Sequence, residues 1–171
     1  MDPTILPAIN EIGYSQASPT VNTQLKCKQL LDYLHTHPSS TLRYYKSDMN
    51  LHIDSDAAYL VAPGAKSRIA GYFYLSSKSS ISSTSTPTST LSPPLNAPIH
   101  VECKTLKHVV SSAAEAETAG LFSNCTFAIT IRQMLQALGH TPSITPVKTD
   151  NKTASSFVNN TLKAKEVKIG T

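Results

Sequence analysis

The sequence predicts an α/β fold, a mixed sheet with helices packed on it, and three observations predict it. Short segments rich in β-branched and aromatic residues gather in the first part of the chain; one long helical run follows; then a strand-like and a helix-like segment alternate. With 171 residues, 40% of them hydrophobic, the chain suffices for one domain with a real core.

Val21, Leu25, Leu30, Leu31 and Leu34 recur at near-helical spacing after Ser18-Pro19-Thr20, and the turn formers His37-Pro38-Ser39-Ser40 end the run. One amphipathic helix is expected there. Thr41 to Lys46 and Asn50 to Tyr59 read as short strands on either side of Ser47-Asp48-Met49. Arg68 to Leu75 reads as another, neighbouring and antiparallel. Residues 76–98 are dominated by Ser, Thr and Pro, with too few large apolar side chains to offset the entropy of ordering them. A disordered insertion inside one domain is expected.

Ile99-His100-Val101-Glu102-Cys103 resumes with alternating apolar positions, a further strand. Ser111-Ser112 offers an N-cap to a helix running through Leu138, with Glu115 and Glu117 in its first turns, where the dipole favours acids, and Gly139 as its stop. Thr145 to Thr149 reads as a short strand that ends at Asp150, and Thr153 to Leu162 as a second helix.

Charge and cysteines narrow the setting. A net charge of +4 favours acidic partners such as nucleic acid, weakly, because the 15 Lys and Arg are spread along the chain. Cys27, Cys103 and Cys125 are odd in number and form no C-x-x-C, which points away from a disulfide framework or zinc site and toward a reducing interior. No run approaches the roughly 18 apolar residues of a membrane span, and the start lacks a signal-peptide pattern. The expectation is an intracellular protein, in the cytoplasm with the nucleus as a second compartment, not secreted and with no membrane partner. The sequons at Asn124, Asn151 and Asn159 then carry no meaning.

Acid is scarce, and its placement is unusual. Only 11 residues are Asp or Glu, and five of them, Asp54, Asp56, Glu115, Glu117 and Asp150, fall within or at the ends of expected strands or near a helix start. Convergence of carboxylates suits hard cations: magnesium takes oxygen ligands, and two such ions about 4 Å apart clamp both the attacking and the leaving oxygen of a phosphodiester. Asp54 and Asp56 leave one strand on the same face. Glu115 and Glu117 point about 200° apart on their helix, so only one of them turns toward the sheet. Spacing alone leaves both pairs open. It also leaves the ordinary alternative of helix-start acids, a turn Asp and an accidental strand pair. The six histidines show no metal spacing. There is no G-x-S-x-G elbow, no P-loop and no G-x-G-x-x-G.

Ser55-Asp56-Ala57, then Ser111-Ser112-Ala113-Ala114-Glu115-Ala116-Glu117, then Thr149-Asp150-Asn151-Lys152-Thr153-Ala154 together resemble the ribonuclease H domain of copia-class retrotransposon polyproteins, whose pattern runs S-D-A, S-S-x-E-A-E, D-N-x-S-A. Ala8 to Gln16 and the helix from Cys27 to Leu34 resemble the tail of the reverse transcriptase and the connection that precede that domain. The resemblance implies residues 1–41 as connection fragment and 42–171 as a ribonuclease H-like domain, a mixed sheet flanked by helices. It implies two magnesium ions, with manganese as the alternative, and cleavage of the RNA strand of RNA–DNA hybrids. Asp56, Glu117 and Asp150 become the catalytic and metal-binding residues, with Asp54 and Glu115 as fallbacks, and Lys148, Lys152 and Lys163 become phosphate contacts.

The chain also departs from that family. Lys163 to Thr171 begins the segment that leads to a last strand and helix and then stops, so that pair and a fourth metal ligand are expected to be missing, which predicts weak or no cleavage. The Ser/Thr/Pro insertion is longer than usual for the family. The rival expectation is a non-catalytic remnant that binds nucleic acid or another segment of a retrotransposon polyprotein.

Overall fold

The computed structural model describes residues 2–77 and 96–159. A short 3-10 turn, Pro3–Ile5, leads into α1 (Leu6–Tyr14) and α2 (Val21–Thr36). The sheet then forms from β1 (Asn50–Ala62), β2 (Lys66–Ser76) and β3 (Pro98–Thr105), followed by α3 (Ala113–Ala137), β4 (Val147–Lys148) and α4 (Lys152–Val158). The sheet is mixed and four-stranded in the order β3-β2-β1-β4. β1 and β3 run antiparallel to β2, and β4 runs parallel to β1. The α/β fold class holds. The expected disorder of 76–98 falls mostly, and the end of the expected last helix wholly, outside the described residues, as does whatever follows residue 159.

The core lies between one face of the sheet and α3. Leu51, Ile53 and Phe73 meet Ala128, Ile131 and Leu135 of α3, and a second cluster joins Ile69, Leu106, Val110 and Ala116. Both ends of α3 follow local chemistry. The Ser112 hydroxyl accepts from the Glu115 amide, and Gly139 takes φ +81° just past the end, where a side chain would be strained. The β1–β2 hairpin turns at Pro63 to Ala65, with Gly64 at φ +71°.

A buried polar knot ties α3 to the middle of the sheet. Asn124, 1% exposed, donates to Ser55 Oγ and to the Ala70 carbonyl, each at 2.9 Å. Its Oδ1 points at Gly71, where a Cβ would stand 2.4 Å from that oxygen. This burial also removes Asn124 as a glycosylation acceptor.

Three expectations need correction. Thr41 to Lys46 is not a strand; the main chain of Tyr45 pairs with the side chain of Asn96, and a single main-chain bond, from the Ala97 amide to the Arg43 carbonyl, makes no ladder. The N-terminal region holds two α-helices, not one, because α1 forms with Pro7 in its first turn, where a missing amide costs nothing. The spacing of α2 promised an apolar face turned inward, yet no α2 residue is buried. The segment 1–41 also touches the sheet. Asn10 of α1 donates to the Cys103 carbonyl and accepts from Thr105 Oγ1, each at 3.2 Å, which covers part of β3, an outer strand. The Tyr14 hydroxyl donates to the Pro63 carbonyl.

Candidate metal centre

A carboxylate needs a structural reason to be buried, and the stripe of α3 supplies one. Leu135, Ile131, Ala128, Asn124 and Leu121 step back along the buried face at intervals of three and four, and the next position is Glu117, 5% exposed. Glu115 falls outside that stripe and is used locally. Its Oε2 accepts from the Ser111 amide at 2.7 Å and the Ser111 hydroxyl at 2.6 Å, a variant of the capping box. Those two bonds hold its carboxyl below the ordinary range.

β1 and β4 bring in the other two acids. Ile53 stands opposite Val147 and Asp54 opposite Lys148, so extending this parallel register places Asp150 level with Asp56. One carboxylate oxygen from each of Asp56, Glu117 and Asp150 lies within 4.8 Å of the other two. Among the described residues no other group of three His, Cys, Asp or Glu comes together in this way.

Asp54 serves the sheet face that carries His52, Tyr72 and Tyr74. Burial raises both tyrosines and its charge adds to that; burial lowers His52 and its charge opposes that. By alternation Asp56 leaves β1 as Asp54 does, but its Oδ1 accepts from the next amide, Ala57, at 2.9 Å, and its carboxylate turns toward α3. The choices that spacing left open resolve into Asp56, Glu117 and Asp150 as the three that meet.

The fixing of Glu117 is two-sided. Oε1 accepts from the Ala57 amide at 3.3 Å and Oε2 from the Thr149 hydroxyl at 3.4 Å. Burial pushes its carboxyl up from the ordinary range, and the charges of Asp56 and then Asp150 push further, against the two hydrogen bonds. Gly120, one turn on, faces the sheet where a side-chain carbon would make only ordinary contacts. A Cβ there would lie 3.4 Å from Ile69 Cγ2 and 3.6 Å from the Asp56 carbonyl oxygen.

β4 is delivered by Arg132 of α3. Its guanidinium donates to Thr145 Oγ1 at 2.8 Å and to the carbonyls of Ser143 and Pro142, holding the loop from which β4 and Asp150 emerge. Thr149 and Arg132 are site-building residues that sequence reasoning missed. Thr149 was visible as the neighbour of Asp150, whereas Arg132 carries no local signal.

Lys148 and Lys152 are exposed on either side of Asp150; Lys163 lies outside the described residues. Three carboxylates form an all-oxygen donor set, which suits magnesium or manganese over zinc or copper. None of the six histidines joins this cluster, and three of them stack on aromatic rings. His100 stacks on Phe127, His52 on Tyr74 and His37 on Tyr33. Among the described residues no helix is long and apolar enough to cross a membrane. No protein-family model matches the chain, and no curated protein and no solved structure matches it.

Proposed function

We propose that the chain is a ribonuclease H-like domain of the copia-retrotransposon kind, a metal-dependent nuclease acting on the RNA strand of RNA–DNA hybrids at Asp56, Glu117 and Asp150. The observation that carries this reading is the meeting of those three carboxylates from a first strand, the helix after the third strand, and the turn that follows the fourth strand. That is the order in which the resemblance places its acids. The mixed sheet flanked by helices agrees with the same reading.

Each residue has a separate task. Glu117 is the fixed point, oriented by the Ala57 amide and the Thr149 hydroxyl and shielded from water. Asp56 and Asp150 are exposed, which leaves them open to a substrate backbone. Asp56, Glu117 and Asp150 would hold magnesium, which would supply Lewis-acid polarisation at the phosphate and a template for the attacking water. Lys148 and Lys152 offset phosphate charge beside the acids, and 2′-hydroxyl contacts distinguish RNA from DNA.

The test is cleavage of a labelled RNA–DNA hybrid by the purified chain with magnesium or with EDTA, beside the Asp56→Asn variant. Magnesium-dependent cleavage that the variant loses supports the reading. A folded chain that leaves the hybrid intact overturns it, and salt-sensitive hybrid binding by such a chain would make it a non-catalytic nucleic-acid binder.

A further inference from the structure

The chain between α2 and β1 has no regular secondary structure, yet it is fixed. Asn96, buried beside the start of β3, accepts from the Tyr45 amide at 2.7 Å through Oδ1. Its Nδ2 donates to the carbonyls of Tyr45 at 3.0 Å and Leu75 at 2.8 Å. The Ala97 amide donates to the Arg43 carbonyl at 2.9 Å, and the Tyr44 hydroxyl to the Pro98 carbonyl at 3.0 Å.

What this strap presents is aromatic and basic. Tyr44 is 61% exposed and Tyr45 54%, with Arg43 and Lys46 exposed on either side. Beside them runs a groove of about 330 Å³ lined by Tyr44, Tyr45, Lys46, Met49, Asn96 and Ile99 among others. Among the described residues neither Arg43 nor Lys46 is in an ion pair, and Asp48 is the one acid between residues 41 and 49. Ordering an irregular segment costs on the order of 1–2 kcal/mol per residue in backbone entropy. Burial of the two rings does little to offset that cost, since they stay largely outside; the result is two aromatic faces held still between two cations.

We infer that this strap is a stacking platform for unpaired bases of a nucleic-acid strand. Every base has a π-face for an exposed tyrosine, and the flanking cations complement the phosphates. The inference rests on the reading of the chain as acting on nucleic acid, and adds a second contact to it.

The experiment is fluorescence anisotropy of a labelled single-stranded RNA oligonucleotide titrated with the full chain in EDTA, with circular dichroism melting as the check on folding. Tyr45 is the residue to change, because its structural ties run through its main chain. Tyr45→Ala is expected to bind about tenfold more weakly, while Tyr45→Phe, which keeps the ring, binds like the parent. Arg43→Gln combined with Lys46→Gln lowers the slope of log affinity against log salt by about 0.7 per charge removed. Unchanged binding by Tyr45→Ala, equal loss in the Ala and Phe variants, or an unchanged salt slope overturns the inference. Without a cation the result is independent of cleavage. A chain that cleaves hybrids while Tyr45→Ala binds normally sinks only the platform, and one that fails to cleave while binding depends on Tyr45 sinks only the nuclease reading.

Discussion

The Oε1 of Glu117 and the Oδ1 of Asp56 share one donor, the main-chain amide of Ala57, at 3.3 and 2.9 Å. Two carboxylates that would repel one another are thereby held on a common hydrogen. The arrangement is organised toward positive charge and costs the fold something without it.

Glu117→Gln is expected to raise the melting temperature of the cation-free chain at neutral pH. The folded-state carboxyl of Glu117 is raised above its unfolded value, so its contribution to stability is fully present below the ordinary carboxylate range and is lost as pH rises through the raised value. Gln carries no such penalty and can keep the acceptor for Ala57. The gain over the parent should shrink as pH falls through the carboxylate range. A gain that instead grows on acidification would contradict this account.

Magnesium is expected to raise the melting temperature of the parent in a concentration-dependent way, with about 2.7 kcal/mol of added stability at a hundredfold excess over Kd. Asp150→Asn should need more magnesium for the same shift, since it removes one charge from the cluster but leaves the core untouched. Differential scanning fluorimetry in EDTA and across a magnesium series reads both. Identical magnesium responses in the two chains would count against Asp150 as a ligand.

Two glycine-to-alanine changes are expected to behave oppositely. Gly71→Ala drives a Cβ to 2.4 Å from Asn124 Oδ1 and 2.8 Å from Phe73 Cε2, both in the packed core. A loss of about 1–3 kcal/mol follows from overpacking. Gly120→Ala meets only ordinary contacts, the nearest at 3.4 Å, and gains about 1 kcal/mol of helix propensity. It should be neutral to stabilising in urea unfolding.

Arg132→Lys is expected to weaken the site without dissolving the sheet. Lysine keeps the charge but loses the fork that reaches Thr145, Ser143 and Pro142 together. A stability loss of about 1–3 kcal/mol is expected, along with weaker magnesium stabilisation, because Asp150 leaves this loop. A magnesium response equal to the parent's would show that the loop does not set the position of Asp150.

The features legible in the sequence are those with local causes. α3 announced its limits through Ser112 and Gly139, each acting within a few residues of itself. Glu117 over Glu115 was within reach too, by stepping back from Leu135 along the stripe, but only burial decides which of two helix-start acids that stripe includes. Thr41 to Lys46 misled because aromatic and β-branched residues mark a strand only where a neighbouring main chain is free to pair. Here both main-chain groups of Tyr45 go to a side chain, Asn96, some fifty positions away in sequence. Gly71 shares that non-local character, since its missing side chain is explained by Asn124 and Phe73.

β4 is two residues long and rests on β1 through Ile53 and Asp54. So slight an attachment makes the β4–α4 corner a candidate for the part of the sheet that opens first, well below the free energy of global unfolding. A cation bridging Asp150 to Asp56 and Glu117 would act there as a latch. Its effect should appear as slowed amide hydrogen exchange confined to residues 147–158, while the amides of β2, deep in the sheet, exchange as before.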